Sequence, residues 1–294
     1  MSGTGNRRAV AALLGASFLF GATFVVIKSA LADIEPLTFV AWRFMLGALA
    51  LSVFAAPRGK MLWMHGLICG LALFAGYALQ TAGLSVTSAT NSALITGLYV
   101  VLTPFLAAIL SRRRPSAWVV GAALVSFLGL VLVTGTDGLA VSRGDLLTMG
   151  CAFAFALHIV ALSRYAPLHP VVPFTTVQLA VTAVLAFPLA FLIDGVTIPA
   201  REVWAAIALT GLGVSAGAFL LQIWAQTILG AATAAVVLAA EPAFAVATAW
   251  VVLGERLDLR GWLGAALIVS AIYVAVTRQR DRMSAAAESV TPAH

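Results

Sequence analysis

Three observations predict an all-α integral membrane protein, with ten transmembrane helices in two inverted-topology five-helix repeats. The 294-residue chain is 62% apolar and only 10% charged, with a mean hydropathy of +1.05; soluble domains run near 25% charged. Ten apolar runs approach the roughly 20 residues that a helix needs to cross the hydrocarbon core. The two halves of the chain also share a common order of Gly, aromatic and Pro residues.

The runs are 9–32, 36–56, 62–84, 90–111, 116–134, 144–166, 171–193, 202–226, 231–253 and 260–278. Open sheet edges cannot face lipid, so these runs must be helices. The segments between them are short and carry Pro, Gly or charge, as at Asp33-Ile-Glu35-Pro36, Pro57-Arg58-Gly59-Lys60, Arg112-Arg113-Arg114-Pro115 and Asp194-Gly195. The ends at 1–8 and 279–294 are polar and predicted to be disordered. Arg7-Arg8 followed by the run 9–32 is too long for the apolar core of a signal peptide and reads as a first span. Cys69 and Cys151 both fall inside apolar runs, which gives no disulfide framework.

Charge sets the orientation. Ten spans place both ends on one side, with Arg7, Arg8, Arg58, Lys60, Arg112, Arg113, Arg114, Arg164, Arg278, Arg280 and Arg282. The other side carries Arg143, Arg201, Arg256 and Arg260, while Lys28 and Arg43 lie within spans. The excess of positive charge puts both termini in the cytoplasm. Most acids, including Asp33, Glu35, Asp137, Asp194 and Glu202, fall outside.

The internal repeat predicts units at 1–136 and 144–280, with a polar tail at 281–294. A shift of 135 residues sets Gly15, Phe18 and Phe20 on Gly150, Phe153 and Phe155, and Arg43 on Gln178. A shift of 141 sets Gly70 and Gly76 on Gly211 and Gly217, and brings Gln80 one residue short of Gln222. Pro104 answers Pro242, and Gly121-Ala-Ala-Leu124 answers Gly264-Ala-Ala-Leu267. Because five spans per half is odd, the second half enters the membrane from the opposite side. Secondary transporters have this arrangement, with a site near the midplane.

Glu241 sits about ten residues, or roughly 15 Å, into the ninth run, where a carboxylate is costly and marks a candidate site. Pro242 beside it removes a backbone donor. Glu241 therefore reads as a substrate or proton site, or as a neutral or paired acid that holds a kink. His158, in the middle of the sixth run, reads as a ligand or proton relay, or as a satisfied interhelical imidazole. Tyr77 and Gln80 are one turn apart and share a face. Tyr99, with Asn91 above it, can line the same cavity. Gln178, Gln222, Trp224 and Gln226 add polar and aromatic surface, with interhelical bonding and an interfacial belt as the alternatives. Arg43 can attract a carboxylate or pair with Asp33 or Glu35, the pairing being favoured, and Lys28 can snorkel to the outer interface. Gly66-x-x-x-Gly70 and Gly213-x-x-x-Gly217 read as close helix packing.

The sequence has no HExxH, GxSxG, Walker A or CxxC motif, so neither catalysis nor ATP-driven transport is expected. No His and acid run suits a metal, no cofactor is expected, and no folded basic domain supports nucleic-acid binding. The expected partners are a small-molecule substrate and the lipid bilayer; a monomer suffices for both.

Glu241-Pro242, then Leu253-Gly254-Glu255-Arg256, then Gly264-Ala-Ala-Leu-Ile268 resemble the closing signature of the EamA branch of the drug/metabolite transporter superfamily. The first-half counterpart of Leu-Gly-Glu-Arg is Leu110-Ser-Arg-Arg113, which lacks the acid. The resemblance implies ten helices, two inverted halves and export of amino acids, other metabolites or drugs across the cytoplasmic (inner) membrane. The functional type it is most similar to is the YddG-like amino-acid exporter. The expected substrate-binding residues are Tyr77, Gln80, Tyr99, His158, Gln178 and Glu241, a lining that suits a small zwitterion. The competing expectation is a multidrug exporter of lipophilic cations, in which Glu241 alone could supply the membrane acid.

Overall fold

The computed structural model describes residues 3–87, 92, 95–112, 114–134, 142–195, 198–253 and 259–288. Residues 254–258, Asn91, Arg113, Asp137 and residues 289–294 lie outside the described residues. The helices are α1 (Gly3–Ala22), α2 (Phe24–Ala30), α3 (Pro36–Ser52), α4 (Lys60–Val86), α5 (Tyr99–Ser111), α6 (Ala117–Thr134), α7 (Arg143–Tyr165), α8 (Val171–Ile193), α9 (Arg201–Ala208), α10 (Phe219–Gln226), α11 (Ala231–Leu238), α12 (Glu241–Leu253) and α13 (Leu259–Glu288). Residues Leu209–Ala218 form a π-helix between α9 and α10. The described residues contain no strand.

Five helical segments are long and apolar enough to cross a membrane: Gly5–Ala30, Lys60–Val86, Arg143–Leu168, Val171–Ile193 and Arg201–Gln226. Shorter apolar helices occupy the other predicted runs: Pro36–Ser52, Tyr99–Ser111, Ala117–Leu132, Ala231–Ala245 and Leu259–Ala275.

Three predicted continuous runs are interrupted. The first breaks at Thr23, whose hydroxyl donates back to the carbonyls of Leu19 (2.9 Å) and Phe20 (3.1 Å). The fourth turns tightly at Gly97-Leu98 before α5, with the amides of Val100 and Val101 bonded only three residues back. The ninth breaks at Ala239-Ala240, so Glu241 and Pro242 open α12 instead of kinking a continuous helix. Proline is compatible with a first turn, where its missing N–H would have had no partner. The two polar ends also differ from expectation. Helix α1 starts at Gly3, and α13 continues through Glu288; the stretch 279–288 holds good helix formers, chiefly Ala and Arg, and no Gly or Pro.

Close backbone approach joins the halves. A Cβ on Gly66 or Gly70 would strike Val177 or Val181 of α8, so this pair packs α4 as expected. The second small pair does not behave alike. Nothing lies near Gly213, whereas Gly47 of α3 faces the carbonyl of Gly211 in the π-helix and Gly211 faces the carbonyl of Arg43. Gly129 of α6 meets the carbonyl of Gly264 in α13. Asp194, at the end of α8, accepts from the amides of Leu37 (3.0 Å) and Thr38 (3.1 Å) and so caps α3 from across the sequence. Ser142 and Asp145 form a capping box on α7, to which Thr87 adds a 2.8 Å bond. Lys28 is exposed and donates to the carbonyls of Leu84 (2.7 Å) and Thr87 (3.3 Å), at the end of α4.

Candidate functional site

A cavity at the centre of the bundle is lined by Phe20 of α1, Tyr77 and Gln80 of α4, Tyr99 of α5, Phe155, His158 and Ile159 of α7, Phe219 and Gln222 of α10, Leu238 of α11 and Glu241 of α12. Of the six residues expected to bind substrate, five line it: Tyr77, Gln80, Tyr99, His158 and Glu241. Gln178 stands behind, its amide oxygen 2.9 Å from His158 Nε2. About 40 Å3 of the cavity is open to the centre of a water molecule, room for a few waters. A larger occupant needs the side chains to part.

The interrupted helices deliver two of the polar groups. The turn at Gly97-Leu98 sets Tyr99 at the start of α5, and the turn at Ala239-Ala240 sets Glu241 at the start of α12. Such breaks are tolerated at membrane depth where they line a cavity. Gly21 makes room for the second break, since a Cβ there would meet the carbonyl of Glu241 and the amide of Ala245. The N-terminus of α12 also carries a partial positive charge that favours a carboxylate.

Each polar group has a distinct state of satisfaction. Gln178 donates its amide N–H to the carbonyl of Phe174 (3.1 Å), which leaves its oxygen to accept from His158 Nε2–H. In the neutral ring, Nδ1 of His158 is then the acceptor. Gln80 reaches Thr96 Oγ1 at 3.5 Å, a weak bond. Gln222 donates to Gln226 (3.2 Å), which itself donates to the carbonyl of Ile159 (2.9 Å) and to Ser163 Oγ (2.8 Å). Gln226 is thus interhelical glue, as the alternative reading held. Tyr99 is buried, and its hydroxyl has no hydrogen-bond partner among the described residues. An unsatisfied buried hydroxyl costs about 1–3 kcal/mol, which a ligand acceptor would relieve.

Arg43 departs from the favoured reading. It does not pair with Asp33 or Glu35 but is buried at 2% exposure, donating from Nε to Ser215 Oγ at 2.9 Å. Its guanidinium lies 4.9 Å from the Tyr77 ring centre and 5.3 Å from that of Phe44, and it interacts electrostatically with Glu241. The π-helix puts Ser215 within reach, and the Gly47–Gly211 contact brings the two backbones together. π-Helical turns often occur at functional sites.

The aromatic wall carried less signal in the sequence. Tyr77 makes edge contacts with Phe44 (4.8 Å), Phe155 (5.2 Å) and Phe219 (6.0 Å), and Phe20 meets Phe219 at 5.2 Å. Phe219 in particular sits among Leu220, Leu221 and Ile223, which share its apolar character. Phe155 reaches the cavity by crossing Gly76, where any Cβ would enter its ring. Trp224 lies outside the cavity and is 37% exposed, in keeping with an interfacial belt.

The sequence model of the EamA-like transporter family matches this chain twice, over residues 7–135 and 142–277. An uncharacterized transporter of Archaeoglobus fulgidus is 30% identical over 262 residues, covering 89% of this chain and 83% of that protein. A second from the same organism is 24% identical over 279 residues, covering 90% and 95%. The uncharacterized transporter YyaM of Bacillus subtilis is 31% identical over 187 residues, covering 58% and 61%. One crystal structure superposes with a TM-score of 0.76 at 22% identity, covering 92% of this chain and 98% of the other, a likeness of fold.

Proposed function

We propose a function from the premise that this chain belongs to the EamA-like transporter family and is a multi-pass membrane transporter. It is a secondary transporter that exports amino acids or related small metabolites across the cytoplasmic membrane, in the manner of the YddG-like exporters. Access alternates about the central cavity, which lies between two inverted five-helix repeats of a ten-span chain. Tyr77, Gln80, Tyr99, His158 and Glu241 contact the substrate, and Gln178 orients His158.

The observation that carries this reading is the cavity's mixture of groups. It offers a carboxylate for an ammonium group, an unpartnered phenol and an imidazole acceptor for hydrogen bonds, and four aromatic rings for a side chain. Few convergent polar groups in an apolar wall are typical of small-molecule sites. Two facts support the repeat: the family match occurs once per half, and packing is preserved when the halves are exchanged. Helix α4 packs on α7 while α1 packs on the segment of α10 and the π-helix; likewise α5 packs on α7 while α1 packs on α11 and α12.

The four rings and one acid also suit a lipophilic cation, so a multidrug exporter is the second reading. Counterflow in proteoliposomes separates the two. Labelled amino acids should exchange saturably, with labelled tetraphenylphosphonium showing no saturable flux; the reverse pattern would establish the second reading. The basic-residue bias supports cytoplasmic termini. A cysteine at Ser142 should then react with an impermeant thiol reagent in intact cells and one at Ser116 should not; labelling of Ser116 would invert the orientation.

A further inference from the structure

A second, larger cavity lies at the end of the bundle where α4 begins and α8 begins. About 380 Å3 of it is open to water centres, and its lining includes Arg58, Gly59, Lys60, His169, Pro170 and Pro173. Two cations meet there without an acid in the lining. Gly59, with φ of +97°, turns the chain into α4 and leaves the helix start without a side-chain cap. His169 is held in place by His65, Nδ1 to Nε2 at 2.8 Å, with His65 stacked 4.1 Å from Tyr165. In the tautomer where His65 donates, His169 carries its remaining proton on Nδ1, a donor suited to an anionic oxygen.

The cavity also has an apolar continuation. From its rim, Met61, Met64, Ile68 and Leu71 recur at spacings of three, four and three along α4, and all are exposed. That spacing makes one helical face running from the cations along the outside of the bundle. Cationic head and apolar stripe together match a molecule with a phosphate at one end and acyl chains at the other.

We infer that this cavity is a binding site for an anionic phospholipid, whose phosphate is held by Arg58, Lys60 and His169 and whose chains lie along the Met61–Leu71 face. Basic pockets at a helix end are suited to acidic headgroups. The site joins the first half, through Arg58 and Lys60, to the second, through His169, Pro170 and Pro173. A bound lipid therefore bridges the halves at a point distant from the transport cavity.

Native mass spectrometry of the full chain in detergent tests the site, with phosphatidylglycerol and phosphatidylcholine offered at equal concentration. The phosphatidylglycerol adduct should exceed the phosphatidylcholine adduct by roughly thirtyfold, from two surface cations each worth about fivefold. Arg58→Gln with Lys60→Gln should remove that preference, while Arg7→Gln with Arg8→Gln, an equal loss of charge elsewhere, should keep it. Equal retention of both lipids by the natural chain, or the same loss in both double variants, would overturn the site. Displacement of the lipid by inorganic phosphate at constant ionic strength would also overturn it, showing an anion pocket without a role for the chains. Both pairs of residues are solvent-facing, and unchanged thermal midpoints establish that the variants fold.

Discussion

The starts of α5 and α12 are built alike and equipped differently. Each follows a tight turn that interrupts an apolar run, each carries a proline shortly after, and each turns its first side chain into the central cavity. At α5 that side chain is Tyr99, neutral, buried and without a hydrogen-bond partner among the described residues. At α12 it is Glu241, set at a helix N-terminus and within the field of Arg43. The flanking pairs differ too. Arg43 bonds across to Ser215 on the π-helix, whereas Gln178, which the proposed repeat sets opposite Arg43, bonds back to His158. A common backbone device thus serves a charged arm in one half and a neutral arm in the other. A symmetric scaffold can alternate access, while an asymmetric lining can distinguish the two ends of a zwitterion.

Removing the charged arm's support should have the largest effect. Arg43→Ala removes the bond to Ser215 and the guanidinium packed on the Tyr77 and Phe44 rings and leaves a void, and should lower stability by about 2–5 kcal/mol, as large-to-small core substitutions do. Arg43→Lys should fall between, because an ammonium group lacks the flat guanidinium that lies over Tyr77. Chemical denaturation in detergent measures both; an Arg43→Ala protein as stable as the parent would show that the charged arm needs no partner.

The neutral arm should respond in the opposite sense. Tyr99→Phe removes a hydroxyl that bonds to none of the described residues, so stability should hold or rise. Substrate affinity should fall by roughly two- to tenfold, the worth of one hydrogen bond. An unaltered KM would remove Tyr99 from the binding set.

The smallest effect should come from the imidazole pair outside the cavity, which serves as a control on both arms. Burial, and secondarily the neighbouring His65, hold the His169 pKa below its usual 6.5. A histidine whose folded pKa is depressed gives its full contribution to stability above about pH 6.5 and loses it as the pH falls towards the folded value. Arg58 and Lys60 also line the cavity that His169 faces, and Tyr165 and Phe174 beside the pair add no charge. The thermal midpoint should drop slightly between about pH 7.5 and 5.5, and the drop should shrink in His169→Asn. A drop of the same size in that variant would place the response elsewhere.

Much of this contrast was legible in the sequence. A lone Glu241 within an apolar run marks a membrane acid whatever surrounds it, and the three- and four-residue spacing of Tyr77, Gln80 and their neighbours marks a shared face. Arg43 was misjudged because its partner, Ser215, becomes reachable only where the helix widens between Leu209 and Ala218, and a period of 3.6 does not register a π segment. The break before Glu241 was read as a kink at Pro242. The sequence Ala239-Ala240 contains no turn residue, and it is the crossing of α1 at Gly21 that accommodates the interruption. Phe219 carried no distinct signal because its bulk is shared by the apolar Leu220, Leu221, Ile223 and Trp224 around it, while the polar marks of the segment are Gln222 and Gln226. The bond between His65 and His169 joins residues 104 positions apart, beyond any local pattern.

The central claim is that Glu241 is the working acid of a transport cavity, and substitution by its neutral isostere tests it most directly. Reconstituted in proteoliposomes, the unmodified protein should move labelled amino acid faster under an imposed pH gradient than without one. Glu241→Gln, which keeps the shape and hydrogen bonding of the protonated acid but cannot titrate, should remain folded and monodisperse while its flux becomes indifferent to the gradient. Retention of the full pH response by the folded Gln variant would contradict the account and leave Glu241 as a structural residue at the start of α12.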